Sequence, residues 1–157
     1  MKDIIQILTG TLGALGFSML FNVRGRKLLV ATLGGCFSWT LCLLLARVTP
    51  NEFLHYFVSS CFVAVYAEVF ARIMKTPATT FLIPSIIPHI PGSSLYHTMQ
   101  YALTKQWNLF TYQAFYTLQL ALGLALGIVA VLSVLSVGNK IGAAIKGRSK
   151  HHEADDS

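Results

Sequence analysis

Residues 77–103, PATTFLIPSIIPHIPGSSLYHTMQYAL, form an apolar run interrupted by Pro84, Pro88, Pro91 and Gly92. No other stretch constrains the fold as much, because it is long enough to cross a membrane and yet cannot be one continuous helix. Each internal proline lacks a backbone N–H and crowds the carbonyl four residues before it, and Pro91-Gly92 reads as a stop. Irregular backbone at membrane depth is tolerated where protein buries it or where it lines a cavity, so breaks of this kind mark binding sites in transporters.

The rest of the chain places that run in a bilayer. Of 157 residues, 54% are hydrophobic and only 11% charged, with a mean hydropathy of +0.61, well beyond a soluble domain of this size. The expected fold class is an all-α integral membrane protein with about five transmembrane helices at roughly 20 residues each. No length remains for a nucleotide-binding or catalytic module. The net charge of +6 sits in short clusters at the ends of apolar runs. That placement is orientation charge, and the absence of a basic face interleaved with aromatics argues against a nucleic-acid partner. Cys36, Cys42 and Cys61 lie inside apolar runs, where they are expected to be free thiols acting as small hydrophobes. Lys2-Asp3 is a poor signal-peptide start, so the first apolar segment is expected to remain as a helix.

A polytopic domain over residues 1–140 is expected, with segments at about 4–22, 28–47, 52–74, 78–103 and 110–138. The fourth is broken at Pro88–Gly92, and residues 141–157 form a polar tail expected to be disordered and cytoplasmic. Small residues mark the helix-packing faces: Gly10, Gly13 and Gly16 in the first segment, Gly34 and Gly35 in the second, and the Gly123/Gly127 pair in the fifth.

Charge decides whether the broken segment crosses. If it does, Arg24, Arg26, Lys27, Arg72, Lys75, Lys140, Lys146, Arg148 and Lys150 share one side, nine residues against Lys2, Arg47 and Lys105. If it dips and returns, Lys105 joins the first five and the four tail charges move across, leaving six against six. The positive-inside rule favours the crossing, with the N-terminus outside and the C-terminus in the cytoplasm of a multi-pass protein of the inner or plasma membrane. Five helices with small interfaces look like one repeat of a two-repeat transport fold, which calls for a second membrane subunit or a homo-oligomer.

Several polar residues could carry chemistry within this frame. Glu68 is an intramembrane carboxylate, costly unless paired or facing water, and so a candidate for proton coupling. Arg72, four residues on, could equally pair with it. His89 in the break and His97 beyond it are the other proton-coupling candidates, with His89 expected to line a wet, polar break. Ser93 and Ser94 are placed to cap the second half-helix, whose first amides suit a carboxylate. Pro91, Gly92, Ser93, Ser94, Tyr96 and Gln100 therefore form the expected substrate-binding set. No nucleophile and base, phosphate loop, metal-ligand spacing or cofactor motif can be assembled, so neither an enzyme nor a metal or cofactor site is expected.

The segment GALGFSMLFNVRGRKLL, with Gly16, Phe17, Phe21 and Asn22, and the segment PSIIPHIPGSSLYHTM, with Pro84, Pro88, Pro91, Gly92 and Tyr96, resemble the threonine/serine exporter family. Nearly the whole chain resembles its short form, a small subunit corresponding to the C-terminal half of single-chain exporters. The resemblance implies an exporter of small carboxylate-bearing metabolites, threonine and serine or succinate, working with a larger membrane subunit. A non-transporting assembly or stabilising subunit is the alternative. His89 stands where relatives often carry an apolar residue, so the resemblance implies no role for it.

Overall fold

The computed structural model describes the backbone of residues 2–155 and the side chains of residues 3–138. The chain runs α1 (Lys2–Leu20), α2 (Arg26–Val48), α3 (Glu52–Met74), α4 (Thr79–Ile86), a 3-10 turn (Ile87–His89), α5 (Gly92–Leu103) and α6 (Trp107–Asp155). Four of the helices, α1, α2, α3 and the apolar part of α6, are each long and apolar enough to cross a membrane. The expected loose tail falls where side chains lie outside the described residues; the helix α6 itself is drawn to Asp155.

Helix ends follow local chemistry. At Asn22, Lys75 and Lys105 the backbone turns left-handed, with φ of 56°, 50° and 56°. The next residue's N–H then reaches back over the helix end, as Val23 does to the Ser18 carbonyl at 3.0 Å and Gln106 to Tyr101 at 3.0 Å. This satisfies carbonyls that the helix leaves open. Gly25, at φ 63°, lets the α1–α2 turn close where a side chain would be strained.

In the fourth segment, prolines set each step. Pro84 lies inside α4, which lasts eight residues, and Pro88 follows in the 3-10 turn. Ile90, the residue before Pro91, is extended at φ −66°, ψ 120°, as the proline ring requires of its predecessor. Helix resumes at Gly92.

The first half of that segment is buried in the bundle. Phe81 is 0% exposed and packs with Ala31 of α2 and Ala67 and Ala71 of α3. Ser85 Oγ donates to the Ala31 carbonyl at 3.1 Å, and Ser38 Oγ donates to the Ser85 carbonyl at 3.2 Å. Glycines permit this approach: a Cβ on Gly34 would stand 2.7 Å from the Tyr66 ring, and one on Gly35 would stand 2.5 Å from Ala14 Cβ. Gly127 brings α6 onto α3, since a Cβ there would lie 2.6 Å from the Phe57 carbonyl. Without a strong hydrophobic drive between helices in lipid, such close packing and the hydrogen bonds across it hold the bundle.

The stripe of α1 differs from expectation. Gly10 meets Pro88 and Trp39, but nothing lies within 4 Å of a Cβ built on Gly13 or Gly16. At 3.6 residues per turn, each step of three falls back by about 60°, so three glycines at this spacing fan across the helix and cannot share one contact.

The two ends of the bundle are chemically distinct. One holds the Asp3–Arg47 ion pair and Glu52, which accepts a hydrogen bond from the Tyr116 hydroxyl. The other holds the α1–α2 turn and Lys75. Thr98 of α5 lies 3.2 Å from Thr117, beside Tyr116. The chain therefore leaves the Lys75 end through α4 and reaches the Glu52 end through α5, instead of turning back.

Candidate functional site

The 3-10 turn at Ile87–His89 carries the polar centre of the bundle. Tightening from α-helix to 3-10 helix swings the His89 ring inward, where it is 0% exposed. The ring meets Trp39 edge-on at 5.5 Å between centroids and Tyr56 edge-on at 6.2 Å. Neither imidazole nitrogen has a hydrogen bond of normal geometry, although the Ser38 backbone faces the ring from α2. The expectation of a wet, polar-lining His89 is thus corrected: α1, α2 and α3 close around the break, and the imidazole sits behind two aromatic rings.

Trp39 and Tyr56 also form the wall of a cavity of about 440 Å³ that reaches the Glu52 end of the bundle. Gln6 of α1, Cys42 and Ala46 of α2, and Glu52 and His55 of α3 complete its polar and small lining. The α2–α3 turn creates it by folding the end of one helix against the start of the next. Thr49 and His55 brace that turn: His55 Nε2 lies 2.7 Å from the Thr49 carbonyl and 3.2 Å from its hydroxyl. Trp39 Nε1 is buried without a hydrogen-bond partner, an arrangement that is costly for a buried donor.

The residues expected to bind substrate lie on another face. Pro91 occupies the N-cap of α5, and no side chain caps the helix. Neither serine therefore caps it: Gly92 is already helical, so Ser93 and Ser94 sit two and three positions past the N-cap. Gly92 N–H turns back to the Ile90 carbonyl at 2.7 Å, and Leu95 N–H bonds the Pro91 carbonyl at 3.0 Å. The amides of Ser93 and Ser94 are the ones left at the helix start. Ser94 is buried, whereas Gly92, Ser93, His97 and Gln100 are exposed, and Tyr96 is 65% exposed. His97 touches only neighbouring rings of its own helix among the described aromatic contacts, Tyr96 and Tyr101.

Glu68 is at neither place. Its carboxylate lies 3.6 Å from Arg72 Nε, one turn on in α3. Among the described residues, no group of three or more His, Cys, Asp or Glu is placed to hold a metal ion.

A family model described as threonine/serine exporter, ThrE, matches residues 6–134. The chain belongs to the threonine/serine exporter family. The matched span runs from Gln6 through the broken segment into α6, so this exporter family's region includes both the cavity and α5. No curated protein and no solved structure matches the chain. Family and fold together make this a membrane exporter of the threonine/serine type.

Sequence reasoning did not single out Gln6, Trp39, Glu52 or Tyr56. Two signals were available: Gln6 is a lone amide in an apolar run, and Trp39 lies mid-segment, away from the interfacial belt where tryptophan concentrates.

Proposed function

We propose that this chain is one subunit of an exporter of small carboxylate-bearing metabolites, threonine and serine or, alternatively, succinate, and that a larger membrane subunit completes it. The state of α5 carries this reading. The helix begins at Gly92, a few residues beyond a turn packed against the middle of α2, and within the chain it packs chiefly on α6. It turns Ser93, His97 and Gln100 outward beside Tyr96 and Met99. Amides and polar side chains are costly against hydrocarbon, so this face suits protein or a water-filled path better than lipid.

A second subunit over α5 would supply both. The substrate carboxylate then meets the Ser93 and Ser94 amides in the positive field of the helix start, with Tyr96 and Gln100 alongside. His89 and His97 are the candidates for coupling proton movement to export, and Glu68 joins them only if its pair with Arg72 opens. The nine-to-three division of basic residues supports an N-terminus outside and a cytoplasmic C-terminus in the inner or plasma membrane.

Efflux of labelled threonine and succinate from loaded cells tests this reading. Gly92→Leu with Ser93→Ala, at matched membrane levels, is expected to lower efflux by about tenfold or more, the scale of one lost charge-assisted contact. Unchanged efflux would remove the substrate site from α5. In reconstituted vesicles, protection of α5 by the larger subunit but never by substrate would mark an assembly subunit instead.

A further inference from the structure

The cavity at the Glu52 end has a polarity of its own. At its mouth stands Glu52, the one Asp, Glu, Lys or Arg among its described lining residues. The nearby Arg47 is turned to Asp3 in an ion pair. The Tyr116 hydroxyl donates to one Glu52 oxygen, which orients the carboxylate and leaves its other oxygen to accept. The neighbouring Gln6 adds an amide carbonyl. At the deep end the lining turns aromatic, with the Trp39 and Tyr56 rings in the wall. Behind them the fully buried His89 meets both rings edge-on.

A ligand that completes this lining carries a positively charged donor toward Glu52 and the Gln6 carbonyl, and its less polar part toward the Trp39 and Tyr56 rings. The volume of about 440 Å³ admits a small metabolite. A dicarboxylate would bring like charge to Glu52 and find no Lys or Arg among the described lining residues, a juxtaposition that is unfavourable.

We propose that this cavity is a charge-selective vestibule on the transport path, which admits small molecules bearing a protonated amine and rejects dicarboxylates, with Glu52 as the residue that sets the choice. The proposal rests on the exporter reading but not on the site at α5. It decides between the two substrate classes that the rest of the molecule leaves open.

Tryptophan emission of the purified full-length protein in lipid nanodiscs gives a direct test. The chain has two tryptophans, Trp39 and Trp107. Trp107→Phe leaves Trp39 as the reporter in the vestibule. L-Threonine and ethanolamine are each expected to change the emission and to compete, because ethanolamine keeps the amine and lacks the carboxylate. Succinate is expected neither to change the emission nor to displace them.

Glu52→Gln is expected to weaken both amines by about tenfold or more. Tyr116→Phe removes the hydroxyl from Glu52 but keeps the charge, so binding is expected to stay within about threefold. Succinate binding as tightly as threonine, amine binding unmoved by Glu52→Gln, or no response of Trp39 to any of the three probes would overturn the proposal. If Glu52→Gln does not reach the membrane, competition on the Trp107→Phe protein decides, and displacement of ethanolamine by succinate overturns it. Efflux from loaded cells separates the two readings. No efflux with the unmodified chain and its larger subunit defeats the exporter reading, whereas efflux indifferent to Glu52→Gln defeats only the vestibule.

Discussion

The two halves of the broken segment share one proline-punctuated run and meet opposite fates. From Phe81 to His89 the chain buries one face completely: Phe81, Ser85 and His89 are 0% exposed. From Gly92 to Leu103 it lies on the outside of the bundle, with Met99 66% and Leu103 81% exposed. The second half is the more polar of the two, and the surfaces opposite them differ as well. The first half faces Ala31, Gly34 and Gly35 on α2 and Ala67 and Ala71 on α3, small residues that let backbone approach backbone. The second half has α6 on one side and no other long contact surface in the chain. The break is therefore a boundary between an element that completes this subunit and one that is offered beyond it.

The largest expected difference lies between two glycines. Gly34→Leu drives a side chain into Ser85 and the Tyr66 ring, and neither helix can retreat without opening the α2–α4 contact. A loss of about 3 kcal/mol or more is expected, enough to deplete folded protein, by unfolding in mixed micelles. Gly92→Leu meets open space, with nothing within 4 Å, and stability should stay within about 0.5 kcal/mol. Equal losses at the two glycines would abolish the distinction between the halves.

Aromatic truncation sharpens the same contrast. Phe81→Ala empties a site that is 0% exposed and is expected to cost about 3 kcal/mol in the same assay. Tyr96→Ala removes a ring that is 65% exposed and is expected to leave the isolated chain unchanged within about 0.5 kcal/mol. Its effect should appear instead in co-purification with the larger subunit. A Tyr96→Ala chain that unfolds as readily as Phe81→Ala would show that α5 belongs to the core.

How much of this was legible in the sequence depends on how local the cause was. Membrane helices follow from apolar runs bounded by charge, and the Glu68–Arg72 pair follows from a spacing of four on a helix. The break follows from Pro84, Pro88 and Pro91, because proline chemistry acts on its own neighbours. Which half is buried depends on residues far away: Ala31 accepts from Ser85 across 54 positions. The cavity is less legible still, because Gln6, Trp39 and Glu52 come from three helices and share no motif. The N-cap falls two residues before Ser93 and three before Ser94. Pro91 can take the N-cap position itself, and the fixed φ that suits proline to a helix start moves the boundary ahead of both hydroxyls.

Within the enclosed half, one hydrogen bond gives an intermediate test. Ser85→Ala removes the hydroxyl that donates to Ala31 at 3.1 Å. Hydrogen bonds between membrane helices contribute modestly, so a loss of about 1 kcal/mol in mixed-micelle unfolding is expected, with the chain still folded. No loss would mean that the small residues alone hold α4 in place.

The smallest effect is the most discriminating, because it separates a capping serine from one that faces a partner or a ligand. Ser93 is exposed and makes no cap hydrogen bond to α5. Replacing a true N-cap serine by alanine costs about 1 kcal/mol, whereas Ser93→Ala should alter neither helicity by circular dichroism nor micelle unfolding beyond about 0.3 kcal/mol. A loss near 1 kcal/mol would return Ser93 to a structural role. Unchanged stability with reduced efflux would place its function outside the fold of this chain, on the exposed half of the segment whose other half the chain encloses.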